Sequence, residues 1–325
     1  MQSTGLLMAL GTLAVMPMSA PPNKHSESPH LAGNLKVTVL STMLADTVGI
    51  GEWGFAALVE VDGYRLLFDT GERPETVLRN AQEMGIDLST VTDVVLSHHH
   101  WDHTGGLLTL RRALQGKNPA ALSRVHVASG FFQSRKTPNG QEGNPVLAWR
   151  ADYEATGGKF IEHTTAAELA PGVWLTGPVA RRYPERNWTT RARLVTAAGL
   201  VEDTLPEDQA LIVRTARGLT VLTGCGHAGI GNILAQAQTM QPGTSVRAVV
   251  GGLHLLGADE GTLAWTAERM RAAGVQYLLG AHCTGVEAVY RLRDLAKLAR
   301  ATAVVGAVAS SYSDEAGINP GLLPR

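Results

Sequence analysis

The sequence lacks the cysteines needed for a disulfide framework. Its 325 residues include only two cysteines, Cys225 and Cys283, which is too few to staple a small secreted domain. Each cysteine lies close to a histidine in a glycine-rich stretch and not in a disulfide-style spacing. We therefore interpret both as site residues or as small packing residues.

The sequence also lacks an excess of charge of either sign. The 28 Lys and Arg residues and the 29 Asp and Glu residues give a formal net charge of -1, with a pI of about 6.8. This charge gives no electrostatic case for general binding to nucleic acid or to a membrane surface. We therefore expect a small-molecule substrate and no nucleic-acid partner. With 44% hydrophobic and 18% charged residues, the chain can bury a large core.

The N-terminus has an apolar run, but one too short to cross a bilayer. Residues 6–16 form eleven apolar or small positions, whereas a membrane-spanning helix needs about 20. The run resembles a secretory signal peptide, although no Lys or Arg precedes it. Residues 1–30 are interpreted as a signal peptide, with a disordered leader or a mis-called start as alternatives, and residues 31–325 as a single domain. A signal peptide predicts a periplasmic or secreted protein, and its absence a cytoplasmic one.

From Asn34 onward, short apolar runs alternate with amphipathic stretches, which indicates an α/β protein. Strands are predicted at 36–41, 55–61, 64–68, 91–96, 125–128, 173–176, 209–215, 219–223, 246–250 and 275–279. Helices are predicted at 74–85, 107–114, 230–240, 260–273 and 286–298. Between residues 129 and 205 the periodicity weakens, so we expect long loops there, of the kind that carry function.

The most informative stretch is Ser97–Gly106, with the sequence S-H-H-H-W-D-H-T-G-G. It follows the apolar run 91–96, which has the length and β-branched content of a buried strand. Clustered His and Asp at the end of a strand indicate a metal site, and we prefer this interpretation to a chance cluster on a solvated loop.

The spacing of this motif predicts two metal sites. His98 and His100 point to one side of an extended chain, and His99 to the other. The pair therefore suits one metal ion. Asp102 and His103 lie on the following turn and can face a second ion, because zinc, iron and manganese accept imidazole nitrogen and carboxylate oxygen.

Three later histidines share one setting. His227, His254 and His282 each follow a predicted strand and lie close to glycine. Ligands delivered from several strand ends to one edge are the usual way in which an α/β layer assembles a site. We therefore predict that His227 and His282 bind metal, whereas the sequence favours neither ligation nor a structural role for His254.

A dinucleotide site is the main rival. The stretch Gly224–Gly229, G-C-G-H-A-G, matches G-x-G-x-x-G, follows a strand and opens a helix. That fingerprint also requires an acidic residue at the end of the next strand, but the sequence there is V-V-G-G at 249–252. The G-x-S-x-G and P-loop signatures are missing altogether, so an oxidoreductase or a serine hydrolase is not favoured.

Five motifs together resemble the metallo-β-lactamase superfamily. They are F-D-T-G at 68–71, H-H-H-W-D-H-T-G-G at 98–106, G-C-G-H-A-G-I at 224–230, G-G-L-H-L at 251–255 and G-A-H-C-T-G at 280–285. More narrowly, they resemble its metal-dependent hydrolase group that includes the archaeal dihydropterin ribofuranosylaminobenzene phosphate synthase. The resemblance covers residues 37–304 and implies a four-layer αβ/βα sandwich with the metals in the cleft between two sheets.

The resemblance also implies roles for single residues. His282 matches the last histidine of the pattern, and Asp69 matches an aspartate that orients a ligand or the bound water. Cys225 stands where many members have a bridging aspartate, so either Cys225 or His227 is expected to be the remaining ligand. We favour His227, because a thiolate between two metals would make the site soft. The expected metal ligands are His98, His100, Asp102, His103, His227 and His282.

The weakly periodic section contributes candidate substrate contacts. Arg181 and Arg182 follow the predicted strand 173–176, and guanidinium groups bind carboxylate or phosphate through paired hydrogen bonds. We predict that these arginines bind an anionic substrate, with a solvated surface as the alternative.

These observations predict a dinuclear hydrolase with two divalent metal ions, zinc in the first instance and iron or manganese otherwise. Two ions about 3.5–4 Å apart lower the pKa of a shared water and so supply a hydroxide for attack on an ester, amide or phosphoester. Asp102, Asp69 and His254 are the candidate catalytic residues, with Asp102 as a proton acceptor. The alternatives are a transferase resembling the pterin synthase and a non-catalytic or redox metal protein.

Overall fold

The computed structural model describes residues 1–2, 30–189 and 191–322. The predicted signal segment falls almost entirely outside these residues and stays a prediction. The described strands are β1 Leu35–Ser41, β2 Ala56–Val61, β3 Tyr64–Phe68, β4 Asp93–Val95, β5 Arg124–Ala128, β6 Arg135–Lys136, β7 Lys159–His163, β8 Ala167–Ala170, β9 Val173–Leu175, β10 Arg193–Thr196, β11 Gly199–Glu202, β12 Leu211–Thr215, β13 Gly218–Thr223, β14 Val246–Gly251, β15 Tyr277–Gly280, β16 Ala303–Val305, β17 Ser311–Ser313 and β18 Gly317–Asn319.

The described α-helices are α1 Thr76–Glu83, α2 Trp101–Thr104, α3 Leu107–Leu114, α4 Val146–Ala155, α5 Ile230–Met240, α6 Glu260–Ala273 and α7 Val286–Leu295. Short 3-10 turns lie at Leu88–Thr90 and His282–Thr284. None of the helices in the described ranges is long and apolar enough to cross a membrane.

Two large sheets form the framework. The first has the strand order β18-β17-β1-β2-β3-β4-β5-β7, and the second β16-β15-β14-β13-β12-β9-β8. Strands β3, β4, β5 and β7 run parallel, as do β13, β14, β15 and β16. Because parallel strands end at the same edge of a sheet, the residues that follow β3 and β4 meet one another, and so do those that follow β13, β14 and β15.

The two sheets stack with helices on their outer faces. Along β2, Ala57, Val59 and Val61 face the second sheet and join a core shared by both sheets. The alternate residues Ala56 and Leu58 face outward, onto a core that includes residues of α1, α3 and α4. Successive side chains of a strand point to opposite faces, so a strand that is buried on both faces has a nearly continuous hydrophobic sequence, as β2 has. A third core joins the second sheet to α5, α6 and α7, so the predicted four-layer sandwich is confirmed.

The boundaries of most predicted elements agree with the structure to within a few residues, and three helices, α3, α5 and α6, match the prediction at both ends. The expectation of long loops between residues 129 and 205 is wrong in part. That section contains α4 and the strands β6 to β11, and β6, β10 and β11 form a small third sheet. The C-terminal strands β16 to β18 were not predicted either, because each has only three residues.

Candidate metal centre

Four strand ends deliver the candidate ligands to one place. Asp69 follows β3, the histidine motif follows β4, Cys225 follows β13 and His282 follows β15. The intervening turns need glycine because the backbones approach closely. A Cβ at Gly224 would lie 2.0 Å from Ser97 Oγ and 2.5 Å from Asp69 Oδ2. Only glycine lets the β13 turn pack against the histidine motif.

The first two histidines of the motif point their ring nitrogens at each other. His98 Nε2 lies 3.0 Å from His100 Nδ1, while His98 Nδ1 contacts the Ser97 hydroxyl at 2.9 Å. Between them in the chain, His99 turns the other way and pairs with Glu207 at 2.6 Å, as the alternation of side chains predicts. Two imidazole nitrogens at this separation suit two ligands of one metal ion.

Asp69 orients the histidine motif through hydrogen bonds to Ser97 and His103. Its side chain is fully buried, and Oδ1 accepts a hydrogen bond from the Ser97 amide at 2.7 Å. Oδ2 lies 2.8 Å from Ser97 Oγ and 2.7 Å from His103 Nδ1. The carboxylate therefore requires a proton on Nδ1 of His103, which leaves Nε2 as the nitrogen free to bind a metal. This is the arrangement of a carboxylate that orients a histidine ligand.

Cys225 lies at the middle of the cluster. Its Sγ is 3.1 Å from His103 Nε2, and the same nitrogen is 3.7 Å from Asp102 Oδ2. That carboxylate oxygen is in turn 3.3 Å from His282 Nε2. The two groups are close enough to attract each other electrostatically, but neither ring nitrogen of His282 makes a hydrogen bond of good geometry within the described residues. Several potential metal ligands therefore converge on one point, which is the arrangement that a bound cation requires.

His227 is held by the loop that precedes β10. Its Nδ1 donates to the carbonyl of Asn187, and its own carbonyl accepts from Arg181 Nη1 at 2.9 Å. The next amide, that of Ala228, donates to Asp208 Oδ2 at 2.7 Å. The remaining ring nitrogen, Nε2, is buried and has no hydrogen-bond partner within the described chain. Since buried polar atoms are nearly always paired, this orphan atom indicates a ligand.

Backbone strain concentrates at this site. Asp69, His254 and His282 have φ values of 57°, 50° and 49°, and they are three of the eight non-glycine residues with positive φ in the described ranges. Such conformations cost free energy and persist where the surrounding structure enforces them, often at functional sites. His254 is exposed, and its ring centroid lies 4.5 Å from that of His227, so the structure places it at the edge of the cluster.

The donor atoms fall into overlapping groups in which all atoms lie within 4.8 Å of one another. Cys225 belongs to three of the four groups. The groups are Asp102, His103, Cys225 and His282; His98, Cys225 and His227; Cys225, His254 and Cys283; and His98, His100 and Asp102. The nitrogen, sulfur and oxygen donors present are those that zinc binds, so the residues fit a metal centre.

Residues 54–234, more than half of the chain, match the family described as the metallo-beta-lactamase superfamily. The chain belongs to this superfamily. Its structure is similar to the crystal structure of Tm1679, a metal-dependent hydrolase of the beta-lactamase superfamily, with a TM-score of 0.66 and 30% sequence identity over 80% of this chain and 92% of that one. The metallo-beta-lactamase fold protein YhfI from Bacillus subtilis shares the fold, with a TM-score of 0.55 and 15% identity, over 86% of this chain and 99% of that one.

A curated relative supports the narrower resemblance within the superfamily. The 7,8-dihydropterin-6-methyl-4-(beta-D-ribofuranosyl)-aminobenzene-5'-phosphate synthase of Methanocaldococcus jannaschii is 27% identical over 242 residues, which are 72% of this chain and 82% of the relative. The resemblance to the superfamily and to its synthase-containing group, which was inferred from the five motifs, is therefore confirmed. Proteins of this superfamily are metal-dependent, and the structure supplies candidate metal ligands.

The electrostatics of this superfamily member suit metal binding. Burial lowers the pKa values of His98, His100 and His227 well below the usual range, and neighbouring histidines lower them further. These imidazoles are therefore neutral, as ligands must be. Burial raises the pKa of Asp102, but His103 and His282 more than offset this and hold it well below its ordinary value. Burial lowers the pKa of His282, but Cys283 and Asp102 more than offset this and raise it to about 10, so His282 must lose a proton when it binds a metal. The site thus combines three neutral imidazoles with an ionised carboxylate and a histidine whose binding depends on pH.

The arginines singled out from the sequence have different settings. Arg181 is partly buried and donates to the carbonyls of His227, Thr204 and Leu205. Arg182 is exposed, and its backbone amide donates to Asn232 Oδ1 at 2.6 Å. The predicted contact of these two residues with substrate stays a prediction, but Nη1 and Nη2 of Arg181 already donate to backbone carbonyls.

Sequence reasoning missed a buried ionic network behind the histidine motif. Arg135, which is 1% exposed, lies 2.6 Å from Glu207 and 3.1 Å from Asp203, and Glu207 also pairs with His99. Its guanidinium further donates to backbone carbonyls at 130, 131 and 133. The partners are up to 108 positions apart, so no local pattern could have revealed them.

Proposed function

We propose that this protein is a metal-dependent hydrolase with two divalent metal ions, most simply zinc. His98 Nε2, His100 Nδ1 and His227 Nε2 would hold the first ion. Asp102, His103 Nε2 and His282 would hold the second. Cys225 Sγ lies against donors of both groups, so we assign it as the donor shared between them. This assignment adds Cys225 to the ligands expected from the sequence and retains His227.

One observation carries the proposal. In the described chain, His227 Nε2 and both ring nitrogens of His282 are buried without a hydrogen-bond partner, and they lie among donors that point at the same gap. Burying an unpaired polar atom costs roughly 1–3 kcal/mol, and several such atoms at one point would be hard to tolerate in a protein that never binds a ligand there.

Two bound divalent ions would activate a shared water for attack and polarise the scissile group of an ester, amide or phosphoester. The chain's own residues do the rest. Asp69 fixes the ring orientation of His103 and, through Ser97, that of His98. The ionised Asp102 carboxylate, whose side chain is 10% exposed, would accept the proton that is released when water is consumed. We propose that His254, which is exposed at the edge of the cluster, acts on the leaving group.

A transferase is the second candidate, and the synthase relative is the observation that favours it, since this chain covers 82% of that protein. In that case the metals would hold a phosphate-bearing leaving group, and an acceptor other than water would take the transferred group. The two functions differ in their requirements. A hydrolase releases product with water alone, whereas a transferase needs the second substrate.

The test is metal analysis of the purified protein together with the variants His98→Ala and His100→Ala. Both should lose bound metal and hydrolytic activity while keeping the fold by circular dichroism, because the ligands lie on loops beyond the strands. His163→Ala is a matched control, since His163 stacks on His126 and belongs to strand β7. Full metal content in both ligand variants would refute the assignment.

A further inference from the structure

A pocket lies beside the metal centre, between the loop 184–187 and the start of α6. It has a volume of about 550 Å³, within the range of about 300–1,000 Å³ that is usual for small-molecule sites. Its walls come from two segments that are far apart in the chain. They are Pro184, Glu185, Arg186 and Asn187 on one side, and Leu255, Asp259, Gly261, Thr262, Trp265 and Thr266 on the other.

The pocket adjoins the metal centre through two of its walls. Asn187 accepts the hydrogen bond of His227 Nδ1, and Leu255 directly follows His254, whose ring lies 4.5 Å from that of His227. A molecule held in the pocket therefore lies next to the cluster of metal ligands. This is where the unreacting part of a substrate would lie while its scissile bond meets the metals.

One wall of the pocket is apolar and rigid. Trp265 packs against Tyr183 edge to face, with ring centroids 5.5 Å apart, and Arg269 lies 5.7 Å from the centroid of the indole ring. A Cβ at Gly231 would lie 2.6 Å from the Trp265 ring, so α5 also fixes the indole. Leu255 and Pro184 extend the same apolar surface. A fixed indole favours a flat ring that can stack on it.

The charged side chains of the pocket are not equivalent. Glu185 accepts from the amides of Gly231 and Asn232 in the first turn of α5, and Asp259 accepts from the Thr262 amide in the first turn of α6. Helix N-termini compensate these two negative charges. The third charged group, Arg186, has different surroundings.

The guanidinium group of Arg186 has N–H donors available for a ligand. Its side chain is 69% exposed, and its nearest acid, Glu202, lies 3.6 Å away, beyond hydrogen-bonding distance. The other carboxylate oxygen of Glu202 already accepts from Trp188 Nε1 at 2.8 Å. An exposed pair of this kind contributes little free energy, so the guanidinium remains able to bind an anion through paired hydrogen bonds.

We propose that this pocket binds the unreacting part of the substrate, and that this part is a flat apolar ring that carries an anionic group. The ring stacks on Trp265, and the anionic group meets Arg186. The inference rests on the proposed function, because the ligand is a substrate only if the protein is an enzyme. Binding to the pocket can nevertheless be measured without turnover. It also assigns the binding of the anionic group to Arg186, in place of Arg181 and Arg182, which were predicted from the sequence.

Calorimetry on the metal-loaded protein tests this with three probes. Naphthalene-2-sulfonate has both features and is a weak metal ligand, 2-naphthalenemethanol has the ring without the charge, and methanesulfonate has the charge without the ring. The sulfonate should bind at least tenfold tighter than either of the others, a difference of about 1.4 kcal/mol. Equal affinity for the alcohol and the aryl sulfonate would overturn the role of charge.

Variants locate the binding. Arg186→Ala should remove the preference for the aryl sulfonate over the alcohol, and Trp265→Ala should weaken both aryl probes at least tenfold. Arg112→Ala is the matched control, because Arg112 is an exposed arginine that pairs with Asp152 and lies outside the pocket walls, and it should change neither affinity. If Trp265→Ala does not fold, Trp265→Leu keeps the apolar bulk and removes the stacking face. Unchanged affinities in Arg186→Ala and the Trp265 variant refute the pocket. Probe binding by the metal-loaded parent without any hydrolytic activity refutes only the proposed function.

Discussion

The substitution Asp69→Asn removes one charge and almost nothing else, and we expect it to empty the second metal position. Asparagine has nearly the same shape as aspartate and tolerates the positive φ of 57° at this position. The carboxylate accepts at Oδ1 from the Ser97 amide and at Oδ2 from Ser97 Oγ and His103 Nδ1. An amide has only one acceptor oxygen, so it cannot serve both positions.

In either orientation of the asparagine amide, its NH2 group faces a group that also carries a hydrogen-bond donor. With its oxygen toward the Ser97 amide, its NH2 group faces His103 Nδ1, which must then give up its proton to Nε2, the nitrogen assigned to the metal. With its oxygen toward His103, its NH2 group faces the Ser97 N–H. A buried donor without an acceptor costs roughly 1–3 kcal/mol. Loss of such a supporting partner typically lowers metal affinity by about 10- to 100-fold, or about 1.4–2.7 kcal/mol.

Competition with a chromophoric chelator measures this directly. We expect metal bound by Asp69→Asn to be extracted at chelator concentrations that leave the parent loaded, with stoichiometry falling toward one ion per chain. Asp62→Asn is the matched control, because Asp62 also has a positive φ of 50° and accepts two backbone N–H bonds, but on an exposed turn. If Asp69→Asn binds two ions with the parent's affinity, the argument from hydrogen-bond orientation is refuted.

Three more substitutions test other parts of the structure. Cys225→Ser should abolish the sulfur-to-metal charge-transfer absorption of the cobalt-substituted protein, and two ions per chain with that absorption intact would show that the thiol is not a ligand. Arg135→Met leaves Glu207 buried without its cation, so the free energy of unfolding, measured in urea, should fall by about 3–5 kcal/mol; an unchanged midpoint would contradict this. Arg181→Ala frees the carbonyl of His227 and should weaken metal binding, whereas Arg182→Ala should not; equal metal affinities in the two variants would contradict a positioning role for Arg181.

The histidine motif was predictable because its information is local. The H-x-H-x-D-H spacing follows an apolar run, and strand β4 with its parallel neighbours carries that motif to the edge where β3 ends. The positions of His227 and His282 could be predicted in the same way, because each follows a strand and the ends of parallel strands lie at one edge of a sheet. The structure brings all three segments together.

The choice between Cys225 and His227 was beyond the sequence for a physical reason. Both lie in one turn after β13, and which of them faces the cluster depends on side-chain direction in an irregular segment. The structure places both at the cluster, because Gly226, with φ of 63°, reverses the chain between them. From the sequence, only one of the two residues was expected to be a ligand, whereas in the structure both lie among the candidate ligands.

Pairings between distant segments were also out of reach. Strands β17 and β18 join the first sheet beside β1, about 280 residues away in the chain, where Val37 pairs with Tyr312. Segments of three residues carry too little periodicity to be recognised, and their β conformation depends on the partner strand that tertiary folding supplies.

The loop 181–188 links the two parts of the proposed site. It supplies the acceptor for His227 Nδ1 through Asn187 and the donor to the His227 carbonyl through Arg181, and it also forms one wall of the pocket through Arg186 and Asn187. Glu185 and Asn232 tie the same loop to the first turn of α5. A molecule that binds Arg186 therefore contacts the segment that orients a metal ligand. Because the other candidate ligands follow regular strands directly, this loop is the element through which the same fold can change its substrate while keeping its metal centre.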